Sequence, residues 1–117
     1  MTKKIVITLA AASVLLSGCH TQPKTLYQWE GYQPQVYQYF KGESPEQQIA
    51  ILEKGLEIIK AKGNMPPPGY HAHLGLLYSG IGKQDQVIQE FQTEKTLFPE
   101  SSAYMDFLLN KMKKSEQ

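Results

Sequence analysis

Residues 70–99, YHAHLGLLYSGIGKQDQVIQEFQTEKTLFP, leave the chain few ways to fold. His71, Leu74, Gly75 and Tyr78 recur at i, i+3, i+4 and i+7, one face of a helix. The run from Gly80 to Asp85 breaks that pattern, because paired glycines favour a turn over a continuing helix. Val87, Ile88, Phe91 and Lys95 then share a second helical face, closed by Leu97 and Phe98. Pro99 stops it, since proline has no backbone N–H and clashes with the preceding turn. The stretch therefore predicts a helical hairpin.

The hairpin resembles the tetratricopeptide repeat, a helix–turn–helix unit of about 34 residues. Leu74 and Gly75 stand at the family's Leu-Gly pair, with Tyr78 three residues later. Gly82, Phe91 and Pro99 fall at its turn glycine, second-helix aromatic and terminal proline. A tiny residue at Gly75 would let the two helices approach closely. His71 departs from the usual large apolar residue, and Val87 and Glu94 replace two small alanines. Packing between repeats must then differ from the family's. An ordinary helical hairpin that happens to fit this degenerate pattern is the plainer alternative.

Helices are expected on both sides. Ser44-Pro45-Glu46-Gln47 reads as a start, with Ser44 at the N-cap, Pro45 at N1 and Gln47 completing a capping box. Ile51, Leu52, Gly55, Ile58 and Ile59 form an apolar stripe, with Glu53, Lys54, Glu57 and Lys60 outside. Gly63-Asn64 ends that helix, and Pro66-Pro67-Pro68-Gly69 is a stiff linker. After Pro99, Ser101 or Ser102 can cap a last helix whose Met105, Leu108, Leu109 and Met112 repeat at helical spacing. Lys111, Lys113 and Lys114 load its C-terminal end, where cations favour the helix dipole. The fold expectation is all-α: a tetratricopeptide-like hairpin with flanking helices over residues 44–114, four helices being about enough to bury a continuous core.

The N-terminus carries an address. Lys3 and Lys4 precede an apolar run at residues 5–16, too short to span a bilayer comfortably. It closes on Leu16-Ser17-Gly18-Cys19, which resembles the bacterial lipobox. That resemblance implies a signal peptide over residues 1–18 and a lipidated tether over residues 19–25. Cys19 would be acylated, each buried CH₂ contributing about 0.8 kcal/mol to anchoring. An ordinary signal peptide with an incidental cysteine is the alternative. The residue after Cys19 is His20 rather than the aspartate that retains such proteins in the inner membrane. The resemblance thus implies the outer membrane, facing the periplasm.

Composition excludes several classes. All 12 basic residues are lysines, and two of them lie in the signal segment. The remaining 10 face 11 acidic residues, so there is neither a basic surplus nor an arginine fork for nucleic acid. Cys19 is the single cysteine, which rules out an intramolecular disulfide and a cysteine metal site. His71 and His73 form a His-x-His, but on a helix they point roughly 200° apart and cannot clasp one metal; His71 is expected half-buried at a repeat position and His73 exposed. No paired carboxylates, nucleophile set or phosphate-cradling loop is legible. No metal, cofactor or enzymatic reaction is expected.

Residues 26–43 are rich in aromatics: Tyr27, Trp29, Tyr32, Tyr37, Tyr39 and Phe40 are half of the chain's 12 rings. Gly31 and Pro34 prevent one long strand. The segment reads as extended or turned, with a short helix at residues 34–40. Two roles stay open. The rings can cover the helices behind them, since aromatics bury the most area each. They can equally form a partner surface, where Trp and Tyr are enriched. The candidate contact residues are Tyr27, Trp29, Tyr32, Tyr37 and Tyr39, followed by the concave face near His71, Tyr78 and the Pro-rich turn.

Leu-Tyr-x-Trp-x-Gly-Tyr after a lipidated cysteine is similar to a family of small bacterial lipoproteins with a Tyr-x-Trp-Gly-x-Tyr motif. Gly31 stands one place later than in that pattern. Genes of that family tend to sit beside a curli-secretion-channel-like (CsgG-like) lipoprotein. The resemblance implies an accessory, protein–protein interaction subunit of an envelope or secretion complex. Two other roles are considered: a pilotin-like lipoprotein assisting outer-membrane channel assembly, and a regulator of a peptidoglycan synthase. The six residues from His20 to Thr25 reach only ~20 Å when extended, which counts against the last. Oligomeric state stays open.

Overall fold

Glycine and proline punctuation divides the chain into helices. The computed structural model describes residues 24–115; the signal segment, Cys19 and most of the tether lie outside the described residues. An irregular arm leads into α1 (Tyr32–Phe40), α2 (Pro45–Ala61), α3 (Tyr70–Gly80) and α4 (Gln84–Leu97). One 3-10 turn (Pro99–Ser101) follows, then α5 (Ser102–Ser115). No strand occurs among the described residues, so the fold is all-α.

The helix ends follow from the sequence. At Gly63, φ is 66°, a left-handed conformation that costs glycine little. The chain there folds back, Gly63 N–H donating to Lys60 O (3.0 Å) and Asn64 N–H to Ile59 O (3.1 Å). Gly82 (φ 74°) ends α3 the same way, with Lys83 N–H donating to Tyr78 O at 3.1 Å. α1 starts two residues before the expected position. Pro34 falls in its first turn, where the missing N–H has no helical partner to lose.

The expected capping box at α2 does not form. Ser44 Oγ donates to the Glu46 carboxylate (2.8 Å), a stronger acceptor than a neutral group. Gln48, not Gln47, turns back, its Nε2 donating to Glu43 O at 2.9 Å. The α2 stripe is also rotated from its expected position. Ile49, Leu52, Gly55 and Ile59 are buried with Leu56 packed against them, whereas Ile51 is exposed and Ile58 half-buried. Ile51 lies instead beside the arm at Gly31.

α3 and α4 pack most intimately, as the hairpin spacing predicts. A methyl on Gly75 would lie 2.5 Å from the Phe91 ring, so the close approach depends on that glycine. On α4 the inner face is Val87, Phe91 and Glu94, with Phe98 following the helix. Ile88 is exposed, and Lys95 leaves that face to pair with Asp106 on α5. Glu94 is only 1% exposed. Its carboxylate accepts from Gly69 N–H (2.7 Å) and Ala72 N–H (3.3 Å), at the start of α3. An unpaired buried carboxylate would cost several kcal/mol. Two amide donors at the positive end of a helix offset that cost. A glutamate can therefore stand here, reaching along the hairpin to cap α3.

α5 buries Met105 and Leu109, with Leu108 and Met112 partly covered, in the expected pattern. The resulting core is continuous from α2 to α5. Its pivot is Tyr70, fully buried, whose hydroxyl donates to Leu52 O at 2.8 Å. Burial first, and the Glu30 charge second, push that phenol up to about 12.

Candidate functional site

α1 packs along α2 and lays its rings over the start of α3, while the arm crosses the linker before α3. Gln28 N–H donates to Met65 O (2.8 Å), and Asn64 Nδ2 donates to Gln28 Oε1 (2.7 Å). These bonds pin residues 27–28 across the end of α2. Gly31 then turns the chain into α1, whose Tyr32 stacks on Tyr70 with ring centroids 5.2 Å apart. Gln35 is buried on the same inner face.

The two readings of the aromatic segment apply to different rings. Tyr27 is half-buried, edge-on to Phe98 at 5.9 Å. Tyr32 is half-buried between Tyr70 and His73, and burial followed by the Glu94 charge raises its phenol above the usual value. Those two rings cover the body. Trp29 leans on Tyr32 (6.0 Å) yet stays 44% exposed. Tyr37 and Tyr39 are exposed, Lys41 Nζ standing 5.4 Å over the Tyr37 ring. Tyr39 contacts both His73 (5.3 Å) and Phe40 (5.5 Å) edge-on. Phe40, absent from the candidate list, is 80% exposed. Its signal lay in the sequence: it follows Tyr37 at i+3, on the face opposite Gln35.

The second-ranked pair, His71 and Tyr78, does not form a common surface. Tyr78 is a core residue whose hydroxyl donates to Glu53, and burial raises its phenol strongly. Glu53 is therefore not merely a solvated charge. His71 is half-buried, as expected, with Nδ1 2.5 Å from Glu90 Oε2. His73 was expected to be exposed; it is 7% exposed. Rings from α1 cover it, which no pattern within α3 could reveal. Burial holds its imidazole below the usual range, and its Nε2 has no partner. Among the described residues no group of three or more His, Cys, Asp or Glu is placed to hold a metal ion.

A groove of about 470 Å³ opens beside the arm. Leu56, Ile59, Met65, Pro66 and Leu97 give it an apolar lining, with Lys60 and His71 at its polar edge. The expected concave face near His71 and the Pro-rich turn touches it at His71 and Pro66; its other walls come from α2, the linker and the end of α4, which no local pattern brings together. A second exposed ring pair, Tyr104 and Phe107, lies on α5 with Lys111 Nζ 4.9 Å over the Phe107 ring.

No curated protein and no solved structure matches the chain. A domain of unknown function, DUF4810, matches residues 26–108, beginning at the arm and ending within α5. Arm, ring layer and hairpin thus fall within one family unit, and the chain belongs to the DUF4810 family.

Proposed function

We propose that this protein is a lipoprotein anchored in the outer membrane through Cys19. Its periplasmic domain serves as a protein–protein interaction subunit of an envelope or secretion complex of the CsgG-like type. The observation that carries the reading is the pair of outward rings on α1. Tyr37 and Phe40 are exposed, while Tyr32 and Gln35 of the same helix face the body and Tyr39, lying against His73, shows only its outer edge. Rings of this kind are the usual anchors of protein interfaces. The close approach at Gly75 supports a tetratricopeptide-like hairpin as scaffold. Three carboxylates that could do chemistry are engaged in structure: Glu94 caps α3, Glu90 holds His71, and Asp106 pairs with Lys95. In this reading the protein is not an enzyme.

The test is a crosslinked pulldown from envelopes with the intact protein and a Tyr37→Ser, Phe40→Ser variant. These exposed substitutions should move stability by no more than about 0.5 kcal/mol. The variant is expected to keep its melting point and lose a specific envelope protein. Retention of the same partners at the same yield would sink the reading. Cys19→Ser is expected to move the protein from the membrane to the soluble fraction.

A further inference from the structure

The geometry points to a membrane-contact face at the arm end of the domain. Leu26, Trp29 and Met65 sit in the interfacial layer of the phospholipid leaflet that carries the anchor, and the neighbouring groove takes apolar lipid groups. This inference rests on the anchoring role of Cys19 and adds a second, non-covalent attachment.

Three observations meet there. The first is exposed apolar surface. Leu26 is 79% exposed and Met65 42%, and the arm is bonded to the Met65 backbone through Gln28. Trp29 follows on the same arm. Indole rings favour the headgroup level of a bilayer because they have one apolar and one polar end. The groove runs on from this patch, sharing Met65 and Asn64 with the arm's contacts.

The second is charge. Lys24 begins the described arm, Lys60 lines the groove, and Lys62 precedes the groove residue Gly63. Of the neighbouring acids, Glu57 pairs with Lys54, while Glu30 accepts from the neutral Gln28 amide and keeps its charge, so the three lysines outnumber the one uncompensated carboxylate. Apolar side chains with lysines beside them suit an anionic phospholipid surface.

The third is reach. Cys19 lies five residues before Lys24, so an extended chain places the arm within ~20 Å of the acylated residue. The arm end is thus the part of the domain that the tether holds nearest the leaflet.

Trp29 is the single tryptophan, so selectively excited tryptophan emission from the purified protein reads this place alone. The acylated protein is reconstituted into phosphatidylethanolamine–phosphatidylglycerol vesicles containing lipids brominated near the headgroup. Trp29 emission is expected to shift to the blue and be quenched. Leu26→Glu with Met65→Glu is expected to abolish both effects while circular dichroism and vesicle flotation stay unchanged. Because that variant could disturb folding, a second measurement uses the wild-type protein. Removing phosphatidylglycerol is expected to weaken the quenching.

Protein that floats with the vesicles but shows unshifted, unquenched Trp29 overturns the contact face and leaves the anchor intact. Protein that does not float overturns both. Emission unquenched in vesicles, with a photocrosslinker at position 29 joining one protein in intact envelopes, assigns the arm to a protein partner and also overturns the membrane face.

Discussion

The α3–α4 hairpin and the arm–α1 layer are built on opposite plans. The hairpin is held by the Phe91 ring seated on Gly75, a buried carboxylate capping a helix, and a histidine–glutamate pair. The arm and α1 rest on ring contacts: Tyr32 on Tyr70, Tyr39 on His73, Tyr27 on Phe98. Beyond those rings, much of the outer layer's apolar surface is left in contact with solvent. The contrast teaches where stability and recognition reside. A well-filled hairpin can support a thin aromatic layer whose outer side remains available for contact.

The largest test of this contrast is Gly75→Val. The added side chain meets the Phe91 ring, and overpacking of this kind costs about 1–3 kcal/mol. The gain from removing a helical glycine is under about 1 kcal/mol, so the clash decides the sign. Thermal melting is expected to show one lowered transition for the whole domain. An unchanged midpoint would mean that the hairpin is not the tight element.

Tyr32→Ala should act more locally. It removes the stack on Tyr70, and such pairs contribute about 0.5–1.5 kcal/mol beyond the area they bury. Hydrogen exchange is expected to speed up in α1 while α3 and α4 amides stay protected. Equal acceleration in both regions would dissolve the distinction, making the domain one cooperative unit.

The smallest expected effect is a dependence on pH at the seam between the regions. Burial depresses the His73 pKa, so the folded protein holds the ring neutral, whereas the unfolded chain protonates near 6.5. This contribution is present above that value and is lost as pH falls below it toward the folded value. Tyr70 works the other way: its contribution is present below the usual 10.0 and is lost as pH rises toward about 12. A denaturation series is expected to show a plateau between these limits. His73→Phe should remove the part of the acid slope nearest neutrality, and an unaltered slope would show that the ring does not control it.

Much of the hairpin was legible because its information is local. Leu74, Gly75, Phe91 and Pro99 lie at spacings that helix geometry itself imposes, and the turn at Gly82 needs only its own backbone. The last helix was readable for the same reason. The candidate site was half legible. Its rings were visible in the sequence, but not which would turn inward. The arm and the linker are far apart in sequence, and the bonds from Gln28 N–H to the Met65 carbonyl and from Asn64 to the Gln28 side chain hold them side by side.

Helical periodicity and glycine and proline stops determined the all-α class and the sequence of helices, since these depend on neighbours within a few residues. Tertiary structure alone decided which face of α2 is buried, that Glu94 reaches back to cap α3, and that His73 lies beneath α1. It also decided the division of the aromatic segment into core and surface. Each of these outcomes depends on contacts between elements, and a side chain's burial is set by what packs over it, not by its own spacing.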